Sequence, residues 1–176
     1  MLKTSLIIPA WNAELTIEDC LFSAINAKLP PNEIIVVDDV SNDKTVDIVN
    51  KLAKTNSSIK LLKLDKNGGP AAARDCGAKV ASGEIIFFTD SDTVILENTF
   101  VNCIKTMTEY KADAVSGIYH PEPINKGIAE LYKALFFYYQ FARHKKPFVY
   151  ETFNGQISAI KKKVYMNTGG YNTNIL

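Results

Sequence analysis

Residues 83–93 of the chain are GEIIFFTDSDT. The four residues 85–88 are all apolar, β-branched or aromatic, and lie between a glycine and a polar cluster, which is the pattern of a short strand. No polar residue interrupts the run, so the strand has no face suited to water and belongs in a sheet covered on both sides. Directly after it the chain sets two carboxylates, Asp90 and Asp92, with only Ser91 between them.

Short, mostly apolar runs bounded by turn formers also occur upstream at residues 6–9, 34–37 and 59–64, the last of them interrupted by Lys60 and Lys63. Between the runs lie segments with helical spacing: Ile17, Leu21, Ala24 and Ile25; Val46, Val49 and Leu52; and the stretch 71–80. Strand and helix in alternation predict an α/β fold, a mostly parallel, Rossmann-like sheet with helices on both faces. Ligands of such sheets bind beyond the carboxyl ends of the strands, near a reversal in strand order. The segments that follow the four runs are therefore expected to line one crevice: PAWN (9–12), DDVSND (38–43), DKNGGP (65–70) and TDSD (89–92). Further on, a helix is expected around Phe100, Val101, Ile104 and Thr108, and a strand at 114–119.

The totals narrow the function classes. The chain has 176 residues, 47% of them hydrophobic and 22% charged, which suits one folded domain and excludes a disordered or collagen-like chain. A formal charge of +1 gives no net field to draw a polyanion, so nucleic acid is not expected as a partner. Cys20, Cys76 and Cys103 are odd in number and far apart, which fits reduced thiols better than a disulfide framework or a zinc site. The opening MLKTSLIIPAW has only a short apolar run interrupted by Pro9, so neither a signal peptide nor a spanning helix is expected. These features point to the cytoplasm or the cytoplasmic face of a membrane.

Each polar segment has a structural and a functional reading. DSD can offer oxygens to one hard divalent cation, or Asp90 or Asp92 can cap a helix or form an Asx-turn. As an EF-hand it fails, because Val94 and Ile95 stand where a ligand and the required glycine belong. In VVDDVSND, Asp39 can reach a ligand while Asp38 anchors the turn and Asn42 or Asp43 caps the next helix. In NGGPAAARDCGAK, Pro70 suits a helix start, and Arg74 one turn later faces the crevice, where it would contact a phosphate or hold Asp90. No P-loop and no G-x-G-x-x-G spacing is present, so a bound diphosphate would need its charge offset by something other than a glycine cradle.

Taken in order, SLIIPAWNAE, VVDDVSNDKT, NGGPAAARDCGA and FFTDSDT resemble the motif series of the family 2 glycosyltransferases of the GT-A fold, over residues 3–118. FNGQISAIKKKVYMNTGGYN resembles the family's next block, on the acceptor side. The resemblance implies a single GT-A domain over 1–176, with 1–118 as the nucleotide-sugar-binding half and 119–176 as the start of an acceptor-side half, incomplete at its C-terminus. It implies that Pro9, Ala10 and Trp11 wall the nucleotide base, that Asp39 bonds the base beside Asp38, and that Gly69 and Arg74 lie near the diphosphate. Asp90 and Asp92 are similar to the family's D-x-D, holding ribose and Mg2+ or Mn2+, with Asp92 as the direct metal ligand.

The implied reaction is transfer of a sugar from a nucleotide-sugar donor, UDP-linked by preference, to the hydroxyl of a glycan or lipid-linked acceptor, with inversion. The family's general base follows the GGY block in an acidic motif not found before Leu176, and Glu151 is the one candidate substitute. A non-catalytic nucleotide-sugar-binding module is the alternative. A sugar nucleotidyltransferase fits poorly, because PAWNAELT lacks the glycine-rich basic loop it needs. Two residues depart from the family pattern: Val40 stands where glycine is common, and Asp75 where asparagine is common. The aromatic run at 135–141, followed by Arg143, Lys145 and Lys146, suits core packing, an acceptor-site helix or a peripheral membrane contact.

Overall fold

The structure, a computed structural model, describes residues 2–123, 127–139 and 157–172. Six strands form one sheet in the order β3-β2-β1-β4-β6-β5. They are β1 (Thr4–Ala10), β2 (Glu33–Asp38), β3 (Ile59–Lys63), β4 (Ile85–Thr89), β5 (Ala114–Ser116) and β6 (Ile157–Lys161). The first four are mutually parallel, and β6 runs antiparallel to both β4 and β5. The helices are α1 (Ile17–Ile25), α2 (Thr45–Thr55), α3 (Gly69–Val80), α4 (Thr99–Glu109), α5 (Ile128–Phe137) and α6 (Lys162–Asn167).

The uninterrupted apolar runs have the burial that their composition demands. Every residue of β1, β2 and β4 is buried, whereas β3, at the edge, is only partly so. Alternate side chains divide between two cores. Leu6, Ile8, Ile34, Val36 and Phe87 pack with α1, α2 and α4, through residues such as Leu21, Val49 and Phe100. Ile7, Ile35, Val37, Ile86 and Phe88 pack on the other face with Ala73 and Ala78 of α3 and Tyr165 of α6. α3 lies very close to the sheet at Gly77, where a Cβ would come within 2.5 Å of Ile7 Cγ2. The small residues of AAARDCGA thus bring α3, and Arg74 on it, down onto β1.

The order reverses between β1 and β4, because β2 and β3 continue to one side while β4 returns to the other. The carboxyl ends of β1, β2 and β4 meet at that reversal, where such sheets bind ligands.

Two features were not legible from local pattern. The strand expected at 114–119 ends at Ser116, and Gly117 adds one more bond, its N–H to the Ile157 carbonyl at 2.8 Å. Ile157 is the first residue of β6, so the ladder has run out of partner there. β6 itself inserts between β4 and β5, pairing Ile157 with Thr89 and so entering the sheet beside the DSD segment.

Candidate functional site

The crevice is built from four strand ends, two of which are laced together. From the β1–α1 loop, the Asn12 N–H donates to Ser41 Oγ at 3.0 Å, Ala13 N–H to Thr45 Oγ1 at 2.8 Å and Glu14 N–H to Asp43 Oδ2 at 2.9 Å. The β2–α2 loop answers: Asn42 N–H donates to Asn12 Oδ1 at 2.8 Å and Lys44 N–H to Glu14 Oε2 at 3.0 Å. Asp43 also accepts from the Thr45 N–H at 2.9 Å, serving the first turn of α2. Asn12 and Val40 both take left-handed backbone, with φ of 49° and 64°. This scaffold leaves Trp11 58% exposed at the end of β1, while Pro9 and Ala10 are buried within the strand.

Asp38 and Asp39 end up with different duties. The Asp39 carboxylate, 3% exposed, accepts from the Gly68 and Gly69 N–H groups, each at 2.8 Å, and so caps α3 from outside the helix. Each oxygen keeps a further lone pair, but the N-terminal charge of α3 is already met by Asp39, which leaves little of it for a diphosphate. Asp38 accepts only from the Ser41 N–H, at 3.3 Å through Oδ2, and its buried Oδ1 has no partner among the described residues. A buried carboxylate oxygen left unsatisfied is costly and calls for an explanation.

On the opposite wall, Arg74 of α3 forms a salt bridge through Nη2 to Asp90 Oδ1. Its guanidinium carbon lies 5.7 Å from the centre of the Tyr171 ring. Asp92 is exposed and makes no hydrogen bond or ion pair among the described residues, so the two acids of DSD differ: one is clamped, the other free. Two groups that sequence reasoning missed feel both carboxylates. The Cys20 thiol is pushed up to about 12 by burial, then by the charges of Asp92 and Asp90. The Tyr119 phenol is likewise pushed up to about 12 by burial and by Asp90 and Asp92. Lys133 Nζ of α5 lies 5.3 Å from the centre of the Tyr119 ring. Only the nearness of Tyr119 to DSD in three dimensions marks it, because it lies 27 positions beyond Asp92 in the chain.

Asp75, which stands where the family commonly has asparagine, is paired and adds no free charge. Its carboxylate pairs with Lys79 at 2.6 Å and accepts from Tyr165 OH at 3.1 Å. Tyr165 in turn accepts from the Tyr171 N–H at 3.3 Å. Gly170, at φ 72°, makes this turn possible, since a Cβ there would lie 2.6 Å from Asp75 Oδ1. The GGY block thus folds back on α3 and brings the Tyr171 ring over Arg74.

The donor set suits a cation of the Mg2+ or Mn2+ kind only in part. Among the described residues there is no group of three or more His, Cys, Asp or Glu able to hold a metal. Such ions, however, keep several waters and bind through one or two carboxylates plus substrate phosphates. A free Asp92 beside a clamped Asp90 is that minimal set, so the residues fit a cation whose shell is completed by substrate.

Glu151 and the residues 140–146 lie outside the described residues. The preceding helix, α5, buries only Ala134 and exposes Ile128, Leu131, Tyr132, Leu135 and Phe136. No helix among the described residues is long and apolar enough to cross a membrane.

A parallel sheet with a strand-order reversal, a D-x-D at the end of β4 and an antiparallel β6 beside it define a GT-A transferase domain. Residues 5–169 match the family described as Glycosyl transferase family 2, and the chain belongs to it. A poly(ribitol-phosphate) beta-glucosyltransferase of Bacillus spizizenii is 36% identical over 119 residues, covering 66% of this chain and 19% of that protein. The mannosyltransferase PcManGT of Pyrobaculum calidifontis, solved with GDP-Man and Mn2+, superposes with a TM-score of 0.79 at 26% identity, over 99% of this chain and 48% of that one. TarS 1-349 of Staphylococcus aureus, solved with UDP-GlcNAc, gives 0.71 at 25% identity, over 97% and 48%. The chain therefore spans about half of these solved structures and a smaller share of the Bacillus relative.

Proposed function

We propose that this domain binds a nucleotide-sugar donor, UDP-linked by preference, with Mg2+ or Mn2+, and transfers the sugar to an acceptor hydroxyl with inversion. The observation that carries the reading is the asymmetry of DSD at the strand-order reversal, Asp90 clamped by Arg74 and Asp92 left free. The relative named as a poly(ribitol-phosphate) beta-glucosyltransferase and the solved neighbours with bound nucleotide sugars support it.

Trp11 offers its exposed face to the base, and Asp38 and Asp39 accept from base or ribose donors. Gly69, whose N–H is held by Asp39, lies near the phosphates without donating to them. Arg74 holds Asp90 toward ribose, and Asp92 with Asp90 holds the cation, which supplies Lewis-acid neutralisation of the departing diphosphate. The acceptor oxygen attacks the anomeric carbon, the bond to the diphosphate breaks, and a carboxylate base takes the hydroxyl proton. Glu151 is the candidate base within this chain, and the acceptor is a glycan or a lipid-linked molecule, met in the cytoplasm or at the cytoplasmic face of a membrane.

Calorimetric titration of UDP, with and without Mn2+, on wild type and Asp92→Ala tests the reading. Wild type should gain affinity with Mn2+, and Asp92→Ala should lose most of that gain, on the order of a hundredfold. Equal affinity in all four conditions would sink it.

A further inference from the structure

Val40 is the residue the fold has least reason to tolerate. A β-branched side chain at φ 64° crowds its own backbone, and glycine is the ordinary occupant of this conformation. Local sequence does not impose the turn. It is imposed by the bonds that Asn12, Ala13 and Glu14 make to Ser41, Thr45 and Asp43. Strain that the surroundings over-determine, next to a ligand crevice, points to use of the side chain rather than of the backbone.

The surroundings suggest that use. Val40 directly follows Asp39, whose N–H bonds the Ala10 carbonyl at 2.8 Å, and Ala10 pairs with Asp38, so Trp11 lies one residue and Val40 two residues past the same end of neighbouring parallel strands. Both are apolar and both are exposed, Val40 at 37% and Trp11 at 58%. The polar groups beside them, the Asp38 Oδ1 without a partner and the Asp39 oxygens with a lone pair each to spare, sit at the same strand end. Two apolar side chains flanking acceptor oxygens suit a flat heterocycle with N–H groups on its edge.

We propose that the Val40 side chain is a base-contacting, specificity-determining group of the nucleotide site, retained against its backbone strain because its methyl groups pack on the heterocyclic base. The inference rests on the nucleotide-site reading above, and it goes further by assigning contact to a residue that interrupts the family's pattern.

The test sets stability against affinity. Val40→Gly relieves the strain, so its thermal midpoint should rise by about 2–4 °C. Its UDP affinity with Mn2+ should fall roughly tenfold, as for apolar groups removed from a pocket. Val40→Ala keeps a Cβ, so it removes the methyl contact without loosening the backbone, and it should also weaken UDP. Val40→Thr keeps the branched shape and should bind UDP within about twofold of wild type. Pyrophosphate with Mn2+, which has no base, should bind all four proteins equally. The proposal is overturned if Val40→Gly and Val40→Ala bind UDP as wild type does, or if they weaken pyrophosphate as much as UDP. Wild type that binds no nucleotide would instead overturn the nucleotide-site reading itself.

Discussion

The two ends of this sheet each bury carboxylates, and they treat them in opposite ways. At the amino end, Glu33 opens β2 and is 3% exposed. It accepts from Ser5 Oγ, Ser82 Oγ and the Ser82 N–H, each at 2.6 Å, and from Lys60 Nζ at 2.5 Å. Burial works against its ionisation, but these donors outweigh burial and bring its pKa down to about 2. At the carboxyl end, Asp38 closes the same strand and is equally buried, yet one of its oxygens meets nothing among the described residues. A carboxylate saturated by its own chain is fastening the fold, whereas one left short of donors is placed for something that arrives later.

The difference can be broken most severely at Glu33. Glu33→Gln sets an amide against Lys60 and the serine hydroxyls, and should cost about 3 kcal/mol in urea unfolding, as for a buried carboxylate that loses its charge-assisted hydrogen bonds. pH dependence follows from the same bonds. Because the folded pKa lies below the ordinary 4.5, the carboxylate stabilises the fold above about pH 4.5 and loses that contribution as pH falls toward 2. Unfolding followed across that window should show a fall in stability for wild type that is much flatter in Glu33→Gln.

Gly170→Ala comes next. It forces a Cβ into left-handed backbone against Asp75 and should cost about 2 kcal/mol. It should also disturb the cover over Arg74, which UDP titration would register at the far side of the same contact. Arg74→Lys should cost less, about 1 kcal/mol, since an ammonium can reach Asp90 but cannot also lie flat on Tyr171. The smallest effect on stability belongs to Asp38→Asn, within about 1 kcal/mol of wild type and of either sign, because the altered oxygen has no partner to lose. If Asp38→Asn unfolded as easily as Glu33→Gln, the contrast between the two ends would be gone.

How much of this was legible in the sequence depends on how local each cause is. β1, β2 and β4 announced themselves because burial on both faces forces an unbroken apolar run, and Pro70 marked the start of α3 because its missing N–H is harmless there. β6 did not, because ISAIK becomes a strand only through pairing with β4, 68 or more residues away in the chain. The site divides along the same line. That Asp38, Asp39, Asp90 and Asp92 would stand at the carboxyl ends of parallel strands followed from the apolar runs before them. That Asp39 would cap α3, and that Asp75 would turn to Tyr165 and Lys79, depended on how closely α3 and the GGY turn approach the sheet. No spacing rule within one segment carries that information.

The lacing of the first two loops has a consequence for amide exchange. Loop amides ordinarily trade their protons with water quickly, but those of Asn12, Ala13, Glu14, Asn42 and Lys44 are each held by a side chain of the facing loop. They can exchange only when the two loops separate, so deuterium should enter all five together, at a rate closer to that of the neighbouring strands than to that of free loops. The rim of the crevice would then open as a single body, carrying Trp11 and Val40 with it.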